Sequence, residues 1–128
     1  MNTPILLIFI CCFFACTISP NKIESEINTL GKIEKIEVNL SALQCDCPQW
    51  IIVKNNRETS ESIYLEQSDN SLIKADTLYD GTNMPIVLLL EGNYYSKLGI
   101  PKDYRQIKRA PDTVRVFRYT KITILSKG

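Results

Sequence analysis

The sequence predicts an all-β domain, or one mostly so, and three observations carry the prediction. Past Gly31 no stretch keeps its apolar residues at helical spacing over several turns. Several short runs instead alternate polar and apolar residues or are rich in β-branched ones. Clusters of Asn, Asp, Gly and Pro separate these runs, as turns do. The 128 residues suffice for one domain, and 45% hydrophobic with 23% charged residues is a globular composition.

The elements follow in order. Residues 35–40 (KIEVNL) alternate, with Ile36, Val38 and Leu40 on one face of a half-buried strand. Ile33 falls out of that phase, which predicts a bulge near Glu34. Residues 50–54 (WIIVK) form a continuous apolar run, the pattern of a buried strand. Residues 55–61 (NNRETSE) read as a turn cluster and 62–66 (SIYLE) as the returning strand of a hairpin. Residues 68–83 open with Ser, Asp and Asn at cap positions and close with Asp-Gly before Thr82. They have room for one or two helical turns carrying Leu72, Ile73 and Leu78. Residues 85–95 (PIVLLLEGNYY) are the strongest strand, too apolar for an exposed edge. Residues 96–113 form a long loop with two prolines. Residues 114–125 (VRVFRYTKITIL) are the final strand, whose inward set shifts phase around residues 118–120 and predicts a second bulge or bend. Five strands with a short helical insert between the third and fourth is the order of a five-stranded OB-like barrel or a small open β-barrel, here over residues 31–126.

The N-terminus has a different character. Ile5 to Cys16 (ILLIFICCFFAC) is apolar without interruption, and the first ionisable side chain after it is Lys22. A helix of that length spans about 18 Å, short of the ~30 Å hydrocarbon core and typical of a secretory h-region. Ala15 stands directly before Cys16, and polar residues follow. This resembles the lipobox of bacterial lipoproteins, although Phe13 and Phe14 replace the usual leucine and small residue. The resemblance implies a signal peptide over 1–15, with cleavage before Cys16. That cysteine then carries diacylglycerol and an N-acyl chain such as palmitate, and residues 16–30 become a lipidated tether. Several buried acyl chains suffice for stable attachment. The expected location is the cell envelope, anchored to the inner or outer membrane and facing the periplasm or the surface. Cys11 and Cys12 leave with the signal peptide, so Cys45 and Cys47 remain in an oxidising compartment.

Net charge is +1 with no histidine, which gives no reason to expect a nucleic-acid partner. The charge is segregated, however. Six Lys/Arg face twelve Asp/Glu from Lys22 to Glu91, against eight to two from Tyr94 to Lys121. Tyrosines interleave with the basic residues. The candidate ligand-binding set is therefore Tyr94, Tyr95, Tyr104, Arg105, Lys108, Arg109 and Arg118, and the partner an anionic polymer or an envelope protein. The competing reading has the acidic and basic halves neutralise each other across neighbouring strands. The loop 96–113 is favoured by position, because long loops on rigid β scaffolds concentrate binding residues.

The stretch CDCPQW sets Cys45 and Cys47 one residue apart. A zinc site wants three or four ligands, and here there are two thiolates and no histidine. Cu(I) suits two soft donors, with Met84 as a conceivable third. A redox cysteine needs a neighbouring cation or helix N-terminus, whereas the residue between these thiols is Asp46, which an extended chain would point away from them. A Cys45–Cys47 disulfide is the favoured reading. So small a ring is worth about 1.6 kcal/mol by loop closure, enough to pin a corner. No Ser-His-Asp set is available without histidine, and no glycine-rich phosphate loop is present. No catalytic residue, metal or cofactor is expected.

The segments CDCPQW, IYLE, EGNYY, GIP and VFRY resemble small uncharacterised lipoproteins common in Bacteroidota, over residues 32–125. The resemblance implies an exported lipoprotein with a β-rich domain and brings no catalytic residue with it. The expectation is a membrane-anchored, non-catalytic binding module. The alternative is a thiol redox or Cu(I)-handling protein acting through Cys45 and Cys47.

Overall fold

The computed structural model describes residues 30–105 and 110–128. The expectations for Cys16, for the signal peptide and tether up to residue 29, and for Lys108 and Arg109 lie outside the described residues. Five strands follow in chain order: β1 (Glu34–Leu40), β2 (Trp50–Lys54), β3 (Arg57–Gln67), β4 (Ile86–Tyr94) and β5 (Val116–Lys127). A single 3-10 turn, Ala75–Thr77, lies between β3 and β4. The sheet closes in a ring in the order β1-β2-β3-β5-β4, with β4 returning to β1. All neighbours are antiparallel except β3 and β5, which run parallel over residues 64–67 and 116–119. This is the OB-like arrangement the element order predicts.

Period-2 alternation fills the ring. Along β4 burial alternates through its whole length, with Ile86, Leu88, Leu90 and Tyr94 pointing inward. Val38 and Leu40 of β1, Trp50 and Ile52 of β2, Ile63 and Leu65 of β3, and Phe117 and Tyr119 of β5 meet them in one cluster. Each buried Val, Leu or Ile contributes roughly 1.5–3 kcal/mol, so this interior is the main source of stability.

Two local expectations are corrected. The register of β1 against β4 runs unbroken from Glu34 to Asn39, so there is no bulge at Glu34. Ile33 is out of phase because it precedes the strand, and it is 74% exposed. The β2–β3 turn is only Asn55 and Asn56, both left-handed at φ 52° and 60°. Asparagine tolerates that region, and two such residues make the tight turn whose twist suits a hairpin. β3 therefore begins at Arg57, five residues before the apolar signal at Ser62. The β3–β4 insert holds one 3-10 turn, within the one or two helical turns expected of it. The Tyr119 hydroxyl fastens it, accepting from the Ala75 N–H (3.1 Å) and donating to the Ile73 carbonyl (2.7 Å). Leu72 and Leu78 pack against the core, whereas Ile73 is exposed.

The second bulge falls where the phase shift puts it. Pairing of β4 with β5 passes from Glu91↔Lys121 to Gly92↔Tyr119, which leaves Thr120 unpaired. The Thr120 hydroxyl donates to the Glu91 carbonyl at 3.1 Å. The bend shifts the register of β5 on β4 by one residue, and residues 116–119 meet β3 on the other side.

Four tyrosines are tied to this packing. Burial pushes the hydroxyls of Tyr64, Tyr94, Tyr95 and Tyr119 each from about 10 up to about 12. For Tyr95 the acceptor Glu66 adds to the effect, and for Tyr94 the Arg115 charge opposes it without overcoming it. The neutral form is the one the fold holds. Its contribution is fully present below the ordinary value near 10 and is lost as pH rises through about 12. We therefore expect the melting temperature to fall steeply between pH 10 and pH 12. Tyrosinate absorbance should rise together with unfolding. A melting temperature constant over that window, with all tyrosines titrating normally, would contradict the packing.

Candidate functional site

The candidate site is a cleft of about 340 Å³ where three loops converge. The first is the β1–β2 loop, residues 41–49. Its neck is closed by two hydrogen bonds from Ser41, N–H and hydroxyl, to the Gln49 carbonyl at 2.8 and 2.9 Å. The Gln49 side chain braces the interior of the loop. Its oxygen accepts from the Leu43 N–H at 2.6 Å, and its Nε2 donates to the Cys47 carbonyl at 3.1 Å. Within this brace Cys45 and Cys47 turn their sulfurs toward each other, with Cα atoms 5.2 Å apart, inside the span of a disulfide. Asp46 between them is 4% exposed and turns into the cleft wall.

The second contributor is the insert around Ala75–Thr77. Asp76 accepts from Trp50 Nε1 at 2.9 Å, which ties the insert to β2. Trp50 is 1% exposed, and its indole N–H is satisfied as a buried donor must be. Lys74 pairs with Asp103 at 2.8 Å, and that contact raises the lysine's proton affinity. This pair links the insert to the third contributor, residues 101–105. Tyr104 packs edge-on to Tyr64 with ring centres 5.5 Å apart, and the Asp46 carboxylate lies near enough to act on its hydroxyl. Tyr64 in turn donates to the Asp112 carbonyl at 2.8 Å. Burial first, then the Asp46 charge, raises the Tyr104 hydroxyl above its ordinary value.

The cleft thus combines aromatic walls, three carboxylates (Asp46, Asp76, Asp103), two cations (Lys74, Arg105) and the sulfurs of Cys45 and Cys47. It can accept and donate hydrogen bonds in the same small volume and offers apolar faces beside them. Met84 does not line it, and among the described residues no group of three His, Cys, Asp or Glu is placed to hold a metal ion.

A second polar centre lies behind the long loop. Glu66 is 5% exposed and accepts from the Tyr95 hydroxyl and from the Lys102 N–H at 2.9 Å. Arg118 stands 4.0 Å from the same carboxylate and donates to the Ser68 carbonyl at 3.1 Å. The Glu66 centre clamps the start of the β4–β5 loop to β3.

Of the residues selected from the sequence, Cys45, Cys47, Tyr104 and Arg105 come together in the cleft. Tyr95 and Arg118 gather around Glu66 instead. Tyr94 is a core residue: its ring meets Phe117 edge-on at 4.8 Å, and the Arg115 guanidinium covers its face at 3.5 Å. Strand alternation turns Tyr94 inward and Tyr95 outward. Acid-to-base pairing between neighbouring strands also occurs, Glu61 with Arg115 at 3.0 Å and Glu66 with Arg118. Sequence reasoning missed Asp46, Gln49, Tyr64, Lys74, Asp76 and Asp103 as cleft residues. A topological signal covers part of the set, because the β1–β2 and β3–β4 connections leave the same end of the ring. The β4–β5 loop starts at the other end and is brought across by its contacts with Glu66 and Lys74. No family model, curated protein or solved structure matches the chain.

Proposed function

We propose that the chain is an exported, lipid-anchored envelope lipoprotein whose β domain is a non-catalytic binding module, with its ligand site in the cleft. The supporting observation is the convergence of three connections, β1–β2, β3–β4 and β4–β5, on a cavity of about 340 Å³. That size falls within the range of small-molecule sites, and loops on a rigid sheet hold binding groups without disturbing the core. Carboxylates and cations side by side suit a ligand bearing hydroxyl and amide groups. An envelope polysaccharide or an extended segment of an envelope protein has that chemistry. A uniformly anionic polymer would depend instead on Arg105 with Lys108 and Arg109.

Trp50 is the chain's only tryptophan and lines the cleft, so its emission reports occupancy. Titration with neutral oligosaccharides should give a saturable change that Tyr104→Ala abolishes. A flat response to neutral oligosaccharides, peptides and a polyanion alike would sink the reading. Retention on a polyanion that is unchanged by serine at positions 105, 108 and 109 together would remove the anionic option. The anchor is tested separately: Cys16→Ser should move the protein from the membrane fraction to the soluble one.

A second reading is kept because both sulfurs line the cleft. In a thiol redox or Cu(I)-handling protein, Cys45 and Cys47 must be reduced, whereas a binding module keeps them joined. A mass two hydrogens light under native and denaturing conditions supports the module. A reduced mass with a metal adduct only in the native spectrum supports the alternative. If the pair is a disulfide, Cys45→Ser with Cys47→Ser should cost about 1.6 kcal/mol and leave the fold standing, as denaturant midpoints will show.

A further inference from the structure

Cys45 and Cys47 do more than pin a corner, because the residue between them reaches the cleft. In an extended chain Asp46 would point away from both sulfurs. Here residues 44–47 bend, the two cysteine Cα atoms stand 5.2 Å apart, and Asp46 is held in the cleft wall at 4% exposure. Its charge acts on the hydroxyls of both Tyr104 and Tyr64. Tyr104 belongs to the segment 101–105 that builds another side of the same cleft. Keeping a carboxylate from water costs free energy, and the joined sulfurs are the covalent constraint that opposes its return to solvent.

The pair is also open to attack from outside. Cys45 is exposed, whereas Cys47 is half-buried. The Gln49 side-chain amide distinguishes the two sulfurs, with Nε2 3.3 Å from Cys47 Sγ and 3.9 Å from Cys45 Sγ. A hydrogen-bond donor beside a sulfur favours its thiolate, and a sulfur that leaves more readily speeds exchange. Cys45 is therefore the sulfur that is attacked, and Cys47 the one that leaves.

We propose that the Cys45–Cys47 pair is a redox switch on the cleft, thrown by a partner protein that presents a dithiol. The proposal rests on the reading of the cleft as a binding site, with the pair joined in the resting chain, and adds the regulation of that site. A thiolate of the partner attacks Cys45 Sγ, the S–S bond breaks, and its electron pair goes to Cys47 Sγ. The partner's second thiolate then displaces Cys45 and closes the partner's own disulfide. Two electrons and two protons pass in sum from the dithiol to the chain, which ends with two thiols. A monothiol does not suffice, because Cys47 lies one residue from the mixed disulfide and recloses the ring. Reduction lets Asp46 leave the wall and takes one carboxylate from the ligand's surroundings. Reoxidation returns it.

The test uses the chain extracted from membranes in detergent, with dithiothreitol as the dithiol and glutathione as the monothiol at equal thiol concentration. Alkylation mapped to the peptides of Cys45 and Cys47 reads the reduced fraction. Dithiothreitol should leave at least about tenfold more of the pair reduced than glutathione does. Amide exchange over residues 103–105 should quicken at least about threefold in the reduced chain. The Tyr104 hydroxyl is followed in Cys45→Ser with Cys47→Ser, where no thiolate adds charge. It should titrate lower than in the parent, because the Asp46 charge that helps to raise it has moved away. That variant should exchange like the reduced parent and ignore dithiothreitol. Gln49→Glu keeps an acceptor for the Leu43 N–H but sets a negative charge beside Cys47, so reduction should slow at least about fivefold, whereas a weakened brace alone would speed it. A pair that dithiothreitol leaves joined, equal reduction by glutathione, exchange that ignores reduction, or an unmoved Tyr104 in the serine variant would overturn the proposal. Reduction of Gln49→Glu at the parent's rate or faster would overturn Cys47 as the leaving sulfur. None of these readouts uses a ligand, so their failure is distinct from a failure of the binding reading.

Discussion

Replacing Gly92 with alanine is expected to cost about 3 kcal/mol and to lower the melting temperature by roughly 15 °C. A Cβ at this position would stand 2.7 Å from the Cα of Tyr119 and closer still to the Arg118 carbonyl oxygen. Both are backbone atoms of β5, so no side chain can swing aside to make room. The contact exists because the Thr120 bulge draws β5 tightly across β4 at Gly92. That same bend carries Val116 to Tyr119 into pairing with β3, the step that closes the ring. The extra methyl must therefore push β5 outward at the place where closure depends on it. Gly99→Ala is the matched control. Nothing lies within 4 Å of a Cβ there, so its effect should stay within about 0.5 kcal/mol. Denaturant midpoints for the two variants settle the matter, with amide exchange at residues 64–67 and 116–119 as the local readout. Equal midpoints would mean that the close approach at Gly92 is not structural.

That glycine also shows what the sequence could and could not carry. EGNYY reads as a strand because Ile86, Leu88 and Leu90 are regularly spaced ahead of it, and a lone glycine in such a run suggests a bulge or close approach. The phase shift in VFRYTK located the bend from the other side. Neither clue said that the two belong to one event, because register between distant strands is not written in either of them. The β2–β3 hairpin was underread for a similar reason. RETSE carries almost no apolar signal, since it lies where the hairpin runs past the core, and burial in β3 is complete only from Ile63 to Glu66. Asn55 and Asn56 carried the turn, and their tolerance of left-handed φ was the cue that counted.

The site was legible only in part. The cysteine pair and the long loop stood out by composition, and both reach the cleft. Basic clustering proved a poorer guide. Arg115 and Arg118 answer acids on β3, and Tyr94 is turned inward by strand alternation. The carboxylates of the cleft come from three loops spread over some sixty residues, Asp46, Asp76 and Asp103. The first two share an end of the ring, and the Lys74–Asp103 pair with the Glu66 contacts brings the third across to them.

Truncating Glu66 to alanine should cost about 3 kcal/mol, as much as alanine at Gly92. Its carboxylate receives the Tyr95 hydroxyl and the Lys102 N–H and lies beside Arg118, all in a place where solvent scarcely reaches it. Hydrogen bonds to a charged acceptor are worth roughly 1.5–3 kcal/mol each, and donors left buried without an acceptor cost more than the bond itself contributed. Arg118 keeps the Ser68 carbonyl and some water, which limits the loss. Glu66→Gln retains one carbonyl acceptor but turns an amide N–H toward a donor, so about 2 kcal/mol is expected. Glu61→Ala provides the contrast. Its partnership with Arg115 is exposed on both sides, at 35% and 43%, and such pairs are worth less than about 1 kcal/mol. The decisive readout is local. Losing the Glu66 acceptor should speed exchange at the Lys102 amide and loosen the loop that carries Tyr104 and Arg105 into the cleft, so that Trp50 emission shifts even without ligand. If Glu66→Ala proves as mild as Glu61→Ala, the loop is held by the Lys74–Asp103 pair and its own packing. The cleft would then be organised from the insert rather than from β3.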